Sequence, residues 1–146
     1  MKAVMYHYVR EHNDKLPYFK YLHIDNFFKQ LDYFGDKYDF INKDEFCQYF
    51  TPHQSRLSNT ISPASKELEN KIILTFDDGL KDHYKYVFPE LKKRKIWGIF
   101  YVPFKPYIDN KILDVHHIHL LLGKYKAKRI LSAIKNVLDE QSKPLE

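Results

Sequence analysis

At 146 residues, with 44% hydrophobic and 16% aromatic side chains, the sequence has the length and composition of one globular domain with a core of its own. The formal charge of +5 is scattered, and the only basic run, Lys92-Lys93-Arg94-Lys95, suits the C-terminal end of a helix, which argues against a nucleic-acid partner. A single cysteine, Cys47, excludes an intramolecular disulfide and a thiolate-built metal centre and is expected to be buried filler; the short N-terminal apolar run fits no signal peptide and no stretch reaches membrane-spanning length, so a cytoplasmic protein is expected.

Residues 2 to 9 are rich in Val and Tyr and alternate loosely, which predicts a first strand ending near His7 and Tyr8. The polar stretch 11 to 20, containing Pro17, reads as a loop. From residue 24 to residue 38, Phe27, Phe28, Leu31 and Phe34 recur at helical spacing behind Asp25, a first-turn carboxylate that suits the helix dipole. A shorter helical piece over 44 to 50 leads into residues 51 to 70, whose Ser, Thr, Asn, Pro and Gln predict a surface loop. Lys71–Phe76 is an apolar, β-branched run without polar alternation, the pattern of a buried parallel strand, and it stops at Asp77-Asp78-Gly79.

Beyond Gly79, the residues Tyr84, Val87, Phe88 and Leu91 keep helical spacing, with Pro89 as an irregularity and the basic run as the end. Residues 96 to 102 form a third strand, and its flanking Trp97 and Tyr101 share one face, which predicts core packing rather than sugar contact. Asp114 is placed to cap a helix through Leu122, and Ile130, Leu131, Ile134, Val137 and Leu138 mark an amphipathic helix ending near Gln141. Strand and helix alternate, so the expected fold is α/β with a parallel sheet, in a single domain over residues 1 to 146. Three strands do not close a barrel, and a complete eight-stranded one takes roughly 200 residues or more. The sheet is therefore either open or lacks its C-terminal part.

The chemistry lies in Leu74-Thr75-Phe76-Asp77-Asp78-Gly79, which sets two carboxylates at the carboxyl end of a strand, the edge where α/β folds build their sites. Adjacent side chains in a regular strand point to opposite faces, but Gly79 lets the backbone turn so that both acids can enter one pocket. One carboxylate then holds a cation while the other handles protons. A bare Asp-Asp-Gly also serves as a simple turn with a helix cap.

This hexapeptide resembles the first motif of the polysaccharide deacetylases, the NodB-like carbohydrate esterase family four. The resemblance continues through Tyr6-His7-Tyr8-Val9, Leu31-Asp32-Tyr33-Phe34 and Gly98-Ile99-Phe100-Tyr101-Val102-Pro103, covering most of residues 1 to 103. It implies an incomplete (β/α) deacetylase barrel acting on an N-acetylated carbohydrate, whether polymer, oligosaccharide or lipid-linked sugar, by metal-dependent amide hydrolysis. By the same resemblance Asp77 would be the general base, Asp78 a ligand of a divalent metal, commonly zinc, and His7 a residue turned toward the pocket. The pairing is chemically coherent, since a bound cation lowers the pKa of water while a neighbouring carboxylate takes its proton.

The family's second motif, His-Ser/Thr-x-x-His, is missing. Its best substitute is Asp114-Val115-His116-His117-Ile118-His119, where His116 and His119 are three apart and share a face of any helix there, one residue short of the family spacing. They are candidates as metal ligands or as pocket-lining residues; alternatively the true second motif follows Glu146. Two other functions stay open: an inactive carbohydrate-binding remnant that keeps the acidic turn, and a glycosyltransferase. The latter class usually continues Asp-Asp-Gly with Ser and a further Asp, whereas Leu80-Lys81-Asp82-His83 follows here.

Overall fold

The computed structural model describes residues 1 to 50 and 68 to 141. In chain order these form β1 (Lys2–Tyr6), β2 (Val9–Arg10), β3 (Leu22–His23), α1 (Ile24–Lys37), β4 (Asp39–Phe40), α2 (Lys43–Phe50) and β5 (Lys71–Phe76). A five-residue π turn (His83–Val87) then runs into α3 (Phe88–Arg94), followed by β6 (Gly98–Phe100), α4 (Lys105–Asp109), α5 (Asp114–Lys124) and α6 (Ala127–Gln141). The chain divides into two compact units: one made of Met1–Glu11 and Tyr21–Pro103, the other of His12–Lys20 and Phe104–Glu146.

In the first unit β5 is the central strand. β1 lies parallel along its whole length, from Lys2 opposite Ile72 to Tyr6 opposite Phe76. On its other side β4 pairs with the beginning of β5 and β6 with its end, Leu74 opposite Gly98 and Phe76 opposite Phe100, again in parallel. The α/β parallel sheet expected from the sequence is therefore present. Ile72, Ile73, Leu74 and Phe76 are all buried, which accounts for the missing polar alternation: β5 has no solvated face to supply it. The pairs β2–β3 and β4–β5, with two residues in each short strand, carry no readable periodicity and were not expected.

α1 packs on this sheet through Phe27 and Leu31, one turn apart and both fully buried. Asp25 lies in its first turn, as expected, and the cap is His23, whose ring accepts the Asp25 backbone N–H. α2 starts with a reciprocal capping box: Asn42 accepts the Glu45 N–H through its side chain, and Glu45 accepts the Asn42 N–H, each at 2.9 Å. That bond, with Lys71 beside it, holds the Glu45 carboxyl below its usual range. Cys47, expected inside, is exposed, because α2 turns Glu45, Phe46 and Tyr49 inward and leaves position 47 on its outer side.

Pro89 resolves into the π turn. Proline cannot supply the α-helical bond to residue 85, and the Phe88 N–H instead reaches the carbonyl of His83, five residues back. The basic run does end α3, with Lys95 in the left-handed conformation (φ 57°) as C-cap, but Arg94 is not simply solvated: it pairs with Glu90 and Asp32. The core is built from Tyr6, Val9, Phe27, Leu31, Leu74, Phe76, Val87 and Leu91.

In the second unit the segment 12 to 20 lies against α5. Tyr18 donates its N–H to the Gly123 carbonyl, and a Cβ at Gly123 would stand 2.5 Å from the Phe19 ring, so this close approach needs glycine. Asp114 opens α5 but does not cap it; the cap position is Leu113, without a side-chain bond. On α6, Leu131, Ile134, Val137 and Leu138 are exposed, and the last three line an open apolar groove with Leu121 and Tyr125. No helix among the described residues is long and apolar enough to cross a membrane. The loop expected over 51 to 70 lies, up to residue 67, outside the described residues.

Two consequences are testable. Leu74 is completely buried, so Leu74→Ala is expected to cost about 2 to 5 kcal/mol in urea unfolding. Burial pushes the Tyr6 hydroxyl from its ordinary 10.0 up to about 12, while it donates to Gln30 Oε1 at 2.8 Å. The folded state thus favours the neutral phenol: its contribution is complete below the unfolded value and disappears as pH rises through the folded one. Stability should fall between pH 10.0 and about 12, and Tyr6→Phe should flatten that decline in an alkaline denaturation series.

Candidate active site

The site begins where the β5 ladder ends. The Asp77 N–H bonds the Tyr6 carbonyl at 2.9 Å and the Phe76 carbonyl accepts the Tyr101 N–H at 2.8 Å, so the strand is held on both sides up to its last residue. Asp78 (φ 75°) and Gly79 (φ 56°) then adopt left-handed backbone in succession, and the Gly79 N–H closes the turn onto the Tyr101 carbonyl at 3.0 Å. For Asp78 that conformation is strained, of the kind that persists only where surrounding structure enforces it. At Gly79 a side chain would also meet Val102 Cγ1 at 3.0 Å.

The turn brings the two carboxylates to one imidazole. His7 Nε2 stands 4.0 Å from Asp77 Oδ2 and 3.8 Å from Asp78 Oδ2, too far for hydrogen bonds but near enough to share one small space. Both acids are about three-quarters buried, and the imidazole is more open. Asp77 Oδ1 is buried and accepts no hydrogen bond from the described residues, a costly arrangement for a carboxylate oxygen unless it serves a proton or a cation.

Around this trio the charges are ordered. Arg10 Nε donates to Asp82 Oδ2 at 2.7 Å in a largely buried pair. Burial raises the pKa of the Tyr8 hydroxyl; the Asp78 carboxylate adds to the rise and Arg10 opposes it. His83, buried, donates its Nε2–H to the His7 carbonyl, which fixes the tautomer and leaves Nδ1 as a buried acceptor with no partner among the described residues. Burial lowers the His83 pKa, against the opposing pull of its bond to His7 and of Asp82 and Asp78.

Of the residues singled out in the sequence, His7, Asp77 and Asp78 come together in the first unit. His116 and His119 belong to the second, one turn apart on α5, with His116 half-buried and His119 exposed. Among the described residues no three His, Cys, Asp or Glu side chains are grouped closely enough to hold a metal ion. In kind, however, the donors fit a divalent cation: two carboxylates, one with an unsatisfied buried oxygen, beside an imidazole nitrogen.

Tyr101, expected in the core with Trp97, is 55% exposed beside the acidic turn, because it follows Phe100, the last paired residue, and strand alternation no longer governs it. Trp97 does pack inward, 5.3 Å from the Phe46 ring. His83 and the Arg10–Asp82 pair were missed. The available signal was the four-residue spacing of His83, Val87 and Leu91, which sets the histidine on a buried stripe directly after the acidic turn.

No protein-family model and no curated protein sequence matches this chain. Solved structures do. The Streptococcus pyogenes deacetylase PplD, determined in complex with acetate, superposes with a TM-score of 0.51 at 26% identity over 70% of this chain and 42% of its own. A de-N-acetylase from Aggregatibacter actinomycetemcomitans gives 0.48 at 18% identity, over 76% of this chain and 40% of its own. The chain thus spans less than half the length of either, and shares its α/β fold with part of the PplD deacetylase.

Gly79→Ala is expected to destabilise the chain by about 1 to 3 kcal/mol, through positive φ and the Val102 contact together, as read from the midpoint of urea unfolding.

Proposed function

We propose that the chain acts as a deacetylase on an N-acetylated carbohydrate, with Asp77 as general base. The observation that carries this reading is the meeting of Asp77, Asp78 and His7 at the end of β5, in a fold shared with part of a bacterial deacetylase. The sequence resemblance to NodB-like enzymes supplies the substrate class.

Asp77 is oriented by its backbone bond to Tyr6 and has one buried oxygen free to accept a proton from water. The hydroxide attacks the acetamide carbonyl carbon, the new C–O bond forms, and a tetrahedral oxyanion results. The C–N bond then breaks as the Asp77 carboxyl returns its proton to nitrogen, giving acetate and a free sugar amine. A divalent cation, zinc by the resemblance, would be held by Asp78, with His7 Nε2 the nearest imidazole nitrogen; when bound it supplies Lewis acidity to carbonyl and water alike. The exposed Tyr101 ring offers a stacking surface for a sugar next to the turn.

A second reading, an inactive carbohydrate-binding remnant, is favoured by the lack of a three-donor group among the described residues. Acetate release from N-acetylglucosamine oligomers separates the two. The deacetylase reading expects activity that chelation abolishes and zinc restores, and a kcat lowered by roughly 10²- to 10⁴-fold in Asp77→Asn. Oligomer binding that persists under chelation, with no acetate from any preparation, would establish the remnant. Zinc titration of His116→Ala and His119→Ala assigns these two as ligands or removes them.

A further inference from the structure

We infer that His83 is a positioning residue, holding His7 against the two carboxylates through the His7 backbone. His83 is the buried member of the polar and charged side chains among the described residues, at 3% exposure. Its ring is packed edge-on against Phe76 at 5.6 Å and Phe100 at 6.1 Å, a slot that a leucine or methionine would fill without burying two polar nitrogens. What the imidazole adds is one hydrogen bond, from Nε2–H to the His7 carbonyl. That addition comes with Nδ1 left buried and unsatisfied, an arrangement that packing alone gives no reason to keep.

His7 needs such a tether. It falls in the gap between β1, which ends at Tyr6, and β2, which begins at Val9, so no ladder holds its carbonyl. The neighbouring Tyr6 carbonyl is taken by Asp77, and the His83 bond fixes the next peptide in turn. The chain therefore makes a closed loop: β5 leads to the acidic turn, the turn leads to His83, and His83 returns to His7, whose ring lies 3.8 Å from Asp78. His83 itself touches neither carboxylate through a hydrogen bond and needs no contact with substrate.

The kinetic consequence rests on the deacetylase reading; the structural one does not. His83→Gln keeps an N–H donor at about the reach of Nε2, and His83→Leu keeps the volume without it. Crystal structures of both variants are expected to retain the 3.8 Å His7–Asp78 separation in His83→Gln and to lose it in His83→Leu. In acetate release, His83→Leu should lose roughly 10- to 100-fold in kcat with KM little changed, and His83→Gln should recover most of it. If His83→Leu does not fold, His83→Met, a flexible filler without a donor, replaces it with the same expectations. The inference is overturned if the donor-free variant keeps the His7–Asp78 separation, or if His83→Gln loses it equally. A wild-type chain that releases no acetate would defeat the deacetylase reading and leave those distances to decide the role of His83.

Discussion

The Phe76 ring is wholly buried, stacked on Tyr6 at 5.4 Å and on Phe100 at 4.8 Å, and met edge-on by Phe27 at 6.1 Å and His83 at 5.6 Å. It draws together β1, β6, α1 and the π turn at one residue. Because Phe76 is the last residue of β5, the same contacts that close the core also fix where the backbone leaves the sheet. The direction of Asp77 and Asp78 is therefore set by this packing together with the backbone bonds from Asp77 to Tyr6 and from Gly79 to Tyr101. A strained Asp78 is tolerable on that footing, since the strain is borne by a turn clamped at both ends, through Tyr6 and through Tyr101.

Much of this was legible in the residues. The unbroken run Lys71–Phe76 announced a strand buried on both faces, the recurrence of Phe27, Leu31 and Phe34 announced α1, and Asp-Asp-Gly after a strand announced a turn that brings two carboxylates together. These signals are strong because each reflects a local pattern sustained over several residues. The two-residue strands left no trace, because pairing of that length is dictated by the partner strand and not by its own sequence. Cys47 and Tyr101 were misread for related reasons: the inward face of α2 depends on where it docks, and alternation stops meaning anything one residue past the end of β6.

His83 shows a different limit. Its type and spacing were in view, but whether a histidine on a buried stripe is filler or a tether depends on what its nitrogens meet, and the partner lies 76 residues earlier in the chain. The Arg10–Asp82 pair, formed across 72 residues, is the neighbouring case. Together they join the segment after β1 to the segment after β5, so the elements carrying His7 and the two acids are cross-linked by polar contacts above the aromatic core that joins them below.

The π turn gives this arrangement a mechanical property. His83, Val87 and Leu91 are four residues apart and all buried, whereas in an α-helix each four-residue step drifts by about 40° around the axis. The wider winding over His83–Val87 absorbs part of that drift, so the imidazole stays under His7 while Leu91 stays in the core. The number of residues in the segment is thus a phase angle. Rewound as a plain α-helix, the eight steps from His83 to Leu91 would drift by about 80°, carrying the imidazole out from beneath its partner even with every side chain unchanged.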